Sequence, residues 1–162
     1  MINKCIGCLV LTGLHVTLIS RNALVPYSVA EMYALVDDIE TYSTFLPWCR
    51  STEVLSRDEL EVQASIEIAK GALNKSFTTL NRLQKNKMIE MRLVEGPFKH
   101  LQGYWRFDSL KDNSASKISL DLDFEFESKL IALAVGPVFN QIANSMVDAF
   151  CKRAVEVYGE RF

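Results

Sequence analysis

The stretch from Ser128 to Tyr158, SKLIALAVGPVFNQIANSMVDAFCKRAVEVY, decides the fold. Val135, Phe139, Ile142, Met146, Phe150, Ala154 and Val157 recur in steps of three and four, which places them on one face of a helix. Asn140, Asn144, Asp148, Lys152 and Glu156 fall away from that stripe. Ser128 is suited to the N-cap, where its hydroxyl accepts from an orphan backbone N–H, and Gly159 is suited to the stop. Such a helix spans about 45 Å and a ten-residue strand about 34 Å. One helix can therefore lie across a whole sheet of long strands. Gly136-Pro137 is expected to interrupt it, because Pro137 has no N–H and its ring meets the carbonyl of Leu133. The reading is a short turn to Val135 and a main helix from Pro137.

The chain before this helix supplies the strands. Thr17 to Leu24 alternates weakly and ends at Pro26, which has no N–H for a ladder. Ser28 and Glu31 form a capping box ahead of a helix carrying Met32, Leu35 and Val36. A second short helix from Asp38 carries Ile39, Tyr42, Phe45 and Leu46 and is broken by Pro47. A meander of antiparallel strands follows. Ser51 to Arg57 is one strand. In the next, Leu60, Val62, Ala64, Ile66 and Ile68 alternate with Glu61, Gln63, Ser65 and Glu67. Period two with one wet face marks a half-buried antiparallel sheet. Beyond a turn at Gly71, Leu73 to Gln84 carries Phe77, Asn86 sits in a hairpin turn, and Ile89, Met91 and Leu93 define another buried face. Glu95-Gly96-Pro97-Phe98 is loop punctuation. Leu101, Gly103, Trp105 and Phe107 then alternate with polar residues. After a polar turn at residues 111–116, so do Ile118, Leu120, Leu122, Phe124 and Phe126. A run of strands followed by a long helix is α+β architecture. The simplest closure is a strongly curved antiparallel sheet with the helix on its concave face.

A length of 162 residues favours one domain, taken as residues 17–162, with a core that needs no staples. A net charge of −2 gives no basic footprint for nucleic acid, and no DNA partner is expected. Residues 1–16 stand apart as an N-terminal extension. The run Cys5 to Leu14 is too short to span a membrane, which takes about 20 apolar residues, and no A-x-A-like cleavage site follows it. The expected start is downstream, at Val16 if its codon is GTG; an intact Met1 in the mass of the native protein would refute this. Cys5 and Cys8 form a C-x-x-C without the strand–helix unit of a redox motif. With His15 and His100 the only histidines, a Cys/His zinc site is not expected. Cys49 and Cys151 are read with them as incidental thiols in a reducing compartment.

The enzymatic signatures G-x-S-x-G, Walker A, G-x-G-x-x-G and H-E-x-x-H do not occur. His100 beside the Gly-Pro loop has the chemistry of a general base but no nameable partner. Asp121, Asp123, Glu125 and Glu127 alternate with large apolar residues and read as a solvated strand face rather than a metal site. What remains is an apolar inner face of Ile66, Ile68, Phe77, Met91, Leu93, Trp105, Phe107, Leu122, Phe124 and Phe126, opposed by Phe139, Ile142, Met146 and Phe150. Periodicity does not distinguish a filled core from a ligand pocket, which typically occupies about 300–1,000 Å³.

Leu24-Val25-Pro26-Tyr27-Ser28, Val36-Asp37-Asp38-Ile39, Tyr42-Ser43-Thr44-Phe45-Leu46-Pro47-Trp48-Cys49, Val94-Glu95-Gly96-Pro97-Phe98, Trp105-Arg106-Phe107 and Asp123-Phe124-Glu125-Phe126 together resemble the coenzyme Q-binding START-domain proteins of the polyketide cyclase/START-like superfamily, whose bacterial branch is often named for a ribosome association toxin. The resemblance runs in order from about Leu18 to Tyr158; Ser43 departs from the family's frequent Tyr-Pro, which loosens that turn. It implies the helix-grip (START/Bet v 1-like) fold with a hydrophobic tunnel between sheet and helix. It implies binding of ubiquinone or a related isoprenoid lipid, as a coenzyme Q chaperone supporting respiratory electron transport, with no catalytic residues and no catalytic cofactor. On that reading the fourteen inner-face and helix residues become tunnel lining, and Trp48, Pro97 and Phe98 the tunnel mouth. The expected location is cytoplasmic, peripheral at the inner membrane, with Phe45-Leu46-Pro47-Trp48 as a candidate bilayer contact and packing against the long helix as the alternative. A competing reading is a factor that binds the large ribosomal subunit and blocks subunit association, through Arg82, Lys85, Lys87 and Arg92. A third is a cyclase-like enzyme on the same fold, which lacks a visible acid/base pair.

Overall fold

The computed structural model describes residues 16–161. The N-terminal extension, with Cys5, Cys8 and His15, lies outside them apart from Val16. The elements in order are β1 (Thr17–Val25), α1 (Val29–Asp37), a 3-10 turn (Ile39–Thr41), α2 (Tyr42–Phe45), β2 (Cys49–Arg57), β3 (Glu61–Lys70), β4 (Leu73–Gln84), β5 (Met88–Glu95), β6 (Phe98–Leu110), β7 (Ala115–Phe126) and α3 (Lys129–Tyr158). The seven strands form one antiparallel sheet in the order β1-β7-β6-β5-β4-β3-β2. Register irregularities in β2, in β4 at Thr78/Thr79 and in β6 between Phe98 and His100 add bend where the sheet curls. The two short helices cross from one sheet edge to the other, and α3 packs against β1, β7 and α1. This is the helix-grip arrangement.

Most of the local signals carried through. Ser28 and Glu31 make both bonds of the capping box, and Ser128 caps α3 by accepting from the Ile131 N–H at 3.2 Å. Ile118, Leu120 and Phe124 of β7 are buried, as are Val62, Ala64 and Ile68 of β3. Leu60 is not part of that alternation. The Asp58 carboxylate accepts from the backbone N–H groups of Leu60 and Glu61, both at 2.8 Å, and this turn leaves Leu60 70% exposed.

The expected break in the long helix is absent: α3 runs unbroken from Lys129 to Tyr158 with Pro137 inside. The carbonyl that loses its partner belongs to Leu133, which is 79% exposed, so water can take the place of the missing N–H. Beside it, buried Gly136 presents no side chain to the Phe126 ring. The buried stripe contains Val135, Phe139, Ile142, Phe150 and Ala154, joined by Ala143 and Val147, and Met146 is half-buried. Val157 is exposed. Its neighbour Tyr158 turns inward instead, 5.9 Å from the Tyr27 ring, with its hydroxyl donating to the Glu31 carbonyl.

The C-terminal end of α3 is thereby tied to the start of α1. Tyr27 donates to the Gly159 carbonyl at 2.6 Å, and Arg161 donates to both carboxylate oxygens of Glu31 at 2.9 and 3.0 Å. The Arg161 hydrogen bond, followed by those from Ser28, holds the Glu31 carboxyl below its ordinary value of 4.5. A carboxyl whose folded pKa is depressed contributes stability above its unfolded pKa and loses it as pH falls through the folded value. Below about pH 4.5 the stability of the parent should therefore fall more steeply than that of Glu31→Gln, which has no charge to lose, and the two proteins should differ more at pH 7 than at pH 3. A pH series of thermal melts checks this; equal differences at both pH values would refute it.

Gly96 makes the β5–β6 turn possible. Its φ is +154°, and a Cβ there would lie 2.6 Å from the Phe77 Cβ and 3.3 Å from its Cα. Backbone strain and the clash together predict that Gly96→Ala loses about 3 kcal/mol, or roughly 10 °C in melting temperature. A calorimetric scan reads this directly, and a parent-like melt would refute it.

Candidate functional site

Between the concave sheet and α3 lies an apolar cavity of about 90 Å³. Ala64, Ile66 and Ile68 of β3, Phe77, Thr79 and Asn81 of β4 and Met91 of β5 form one wall. Leu101 and Trp105 of β6 continue it to Leu120 and Leu122 of β7, while α3 contributes Phe139, Ile142, Ala143 and Met146. Ile39, Tyr42 and Trp48 close one side. Gly103 sits in register between Met91 and Leu122, two of the lining residues. A Cβ there would lie 2.7 Å from Met91 Cε and 2.5 Å from Leu122 Cδ2, so those side chains fold over the glycine.

Of the expected lining, Ile66, Ile68, Phe77, Met91, Trp105, Leu122, Phe139, Ile142 and Met146 meet at the cavity. Five others do not. Phe124 and Phe126 form an aromatic cluster with Phe98 and Phe139, the Phe124 and Phe139 centroids being 4.8 Å apart. Phe150 is fully buried against Tyr42, Phe45 and Trp105. Phe107 stacks on Trp105 and meets Tyr33 of α1. Leu93 lies by the Gly96 turn. These side chains share the inner face, but opposing rings fill the space they point into.

The expected mouth is also redrawn. Trp48 lines the cavity, but Phe98 is 6% exposed inside the aromatic cluster. Pro97 holds the turn, its carbonyl accepting from the Glu127 N–H at 3.1 Å. In the Phe45–Trp48 segment Leu46 and Trp48 are buried, Phe45 is half-buried with the Arg153 guanidinium 5.0 Å over its ring, and Pro47 is exposed. The most exposed large apolar side chains on α3 are instead Leu130 and Leu133. By length and composition α3 could cross a membrane, a test that core helices also pass, and its apolar stripe is spent on the sheet.

The residues missed from sequence are Ile39, Tyr42, Ala64, Thr79, Asn81, Leu101, Leu120 and Ala143. Counting by two along β4 from Phe77 reaches Thr79 and Asn81, so alternation held the signal; their polarity hid it. Both are buried, and the Thr79 hydroxyl donates to Asn81 Oδ1 at 2.9 Å. Tyr42 donates to the Val36 carbonyl, and burial pushes its phenol far above the ordinary range, so it is no acid at neutral pH. Burial likewise raises the Cys49 and Cys151 thiols to about 11, leaving them protonated and poorly nucleophilic.

The remaining polar candidates lie away from this cavity. His100 stands on β6 rather than in a loop, its Nε2 3.3 Å from Asp123 Oδ2. Asp121 pairs with Arg106 and accepts from Ser20, and Glu125 lies 3.7 Å from Lys99. Asp121 and Glu125 thus make cross-strand ion pairs of modest worth. Among the described residues no group of three His, Cys, Asp or Glu side chains is placed to hold a metal. In the basic set, Arg82 pairs with Glu61 at 3.3 Å and Arg92 with Glu90 at 2.6 Å, which leaves Lys85 and Lys87 at the β4–β5 turn.

The profile for polyketide cyclase/dehydrase and lipid transport matches residues 25–151. The chain belongs to this family. Within it, the chain is similar to the ribosome association toxin RatA of Pseudomonas aeruginosa, with 46% identity over 143 residues, 88% of this chain and 99% of the relative. It is also similar, at 27% identity, to the mitochondrial coenzyme Q-binding protein COQ10 homolog B of Xenopus laevis, over 88% of this chain and 59% of that one. Among solved structures, the Zhui aromatase/cyclase from Streptomyces sp. R1128 superposes with a TM-score of 0.77 at 15% identity, covering 86% of this chain and 94% of that one, a likeness of fold alone. The family membership and fold drawn from the sequence motifs agree with these findings. The toxin and coenzyme Q-binding names belong to relatives that share this family's scaffold.

Proposed function

We propose that this protein is a non-enzymatic carrier of ubiquinone or a related isoprenoid lipid, which it holds between sheet and α3 and exchanges at a membrane surface in support of respiratory electron transport. The observation that carries the reading is the cavity, walled by aliphatic and aromatic side chains with one polar pair. No acid/base pair among the described residues faces it, which favours holding a ligand over transforming one. At about 90 Å³ it is smaller than the ~300 Å³ where ligand pockets usually begin. Entry of a quinone ring therefore requires the lining to yield. Met91 and Met146, half-buried and unbranched, are the side chains most able to do so. The coenzyme Q-binding relative gives the ligand class. The test is solvent extraction of protein purified from its own host. Quinone near one equivalent supports the reading; a lipid-free extract from folded protein overturns it.

The second reading is association with the large ribosomal subunit, favoured by the RatA relative matched over nearly its whole length. Lys85 and Lys87 are its strongest contacts, because Arg82 and Arg92 are already paired. Cosedimentation with large subunits that weakens with salt, and further in Lys85→Glu/Lys87→Glu, supports it. Salt-independent or absent cosedimentation counts against it.

A further inference from the structure

We infer that Asn81 is the polar recognition point of the cavity, a hydrogen-bond donor for a carbonyl oxygen on an otherwise apolar ligand. The inference rests on the carrier reading and names what that site selects. Asn81 is 7% exposed and Thr79 6%, and both line the cavity. They are neighbours on one face of β4, two residues apart. The Thr79 hydroxyl donates to Asn81 Oδ1 at 2.9 Å, which occupies the acceptor end of the amide. No hydrogen bond ties the Nδ2 end to another described residue, and that end belongs to a side chain lining the cavity.

The amide donor has no partner among the described residues and is not sealed away from the cavity, so in an apolar wall it is open to an acceptor brought from outside. A pure hydrocarbon offers none, and a carboxylate or phosphate would carry a charge into a wall with no cation. A neutral carbonyl on a ring or chain satisfies both conditions. A quinone ring has two such oxygens on a flat apolar frame. The Thr79 bond turns a freely rotating amide into an oriented one, which makes Thr79 a positioning residue.

The chain has two tryptophans, Trp48 and Trp105, and both line the cavity, so their emission reports its occupancy. The probes are decylubiquinone, which quenches emission, and decylbenzene, a carbonyl-free compound that shifts it. Asn81→Leu should weaken decylubiquinone binding about tenfold or more, in line with the loss of one buried hydrogen bond, while decylbenzene binds as in the parent. Thr79→Val, which keeps the amide but frees it to rotate, should lose about threefold on the quinone alone, and it serves if Asn81→Leu does not fold. Parent-like quinone binding by both variants overturns the role of Asn81 and leaves the carrier reading standing. Loss of both probes together shows a packing effect and also overturns the role. A parent protein that binds decylbenzene but no quinone overturns the carrier reading and this inference with it.

Discussion

Phe98→Asp is expected to abolish cooperative folding. The ring is buried at the junction of sheet and α3, stacked on Phe126 at 5.1 Å and edge-on to Phe77, Phe124 and Phe139. Truncating such a ring costs about 3–5 kcal/mol, and an unpaired buried carboxylate adds several more. The sum rivals the ~5–15 kcal/mol that holds a domain together. Loss of the near-ultraviolet circular dichroism and of a cooperative melt is the expected result, with Phe98→Leu retaining both at a melting temperature a few degrees lower. From sequence, Phe98 reads as a residue at a tunnel mouth, where a charge would cost binding and spare the fold. A folded Phe98→Asp protein would restore that assignment.

Met146→Glu separates binding from folding. Met146 lines the cavity on α3 but is only half-buried, so a glutamate can lean its carboxylate toward solvent while the site is empty. The melting temperature should fall by only about 2–6 °C. An apolar ligand would have to cover that carboxylate, and an unpaired charge against hydrocarbon costs enough to weaken retention at least ~100-fold. Quinone content after purification should drop below detection, while Met146→Leu keeps it. Unchanged content in Met146→Glu would exclude the cavity as the binding place.

The two substitutions differ because burial differs along one inner face, and the sequence does not encode that difference locally. Phe124 and Phe126 alternate as cleanly as Ile66 and Ile68 do, yet the first two, together with Phe98, fill the space beneath the start of α3 and the last two border an opening. The distinction depends on which ring of α3 lands opposite which strand, through contacts more than a hundred residues apart in sequence for Tyr27 and Gly159. Pro137 teaches a related point: a local rule predicted a break, but with Leu133 facing water the lost hydrogen bond is replaced and the helix continues.

Periodicity of 3.6 and of 2, a capping box, a glycine-proline turn and a set of family motifs were enough to establish an antiparallel sheet, one long helix and the face each would bury. Those are properties of near neighbours, set by backbone geometry and the transfer of apolar side chains from water. The tertiary structure alone decided where that apolar face closes on itself and where it stays open, that Trp48 borders the opening while Phe98 seals the core, and that Thr79 and Asn81 bring a polar pair to the cavity wall. A cavity is the volume left between surfaces whose separation is set by every side chain packed between them, so it follows from register and the seat of α3, which no single stretch of the chain contains.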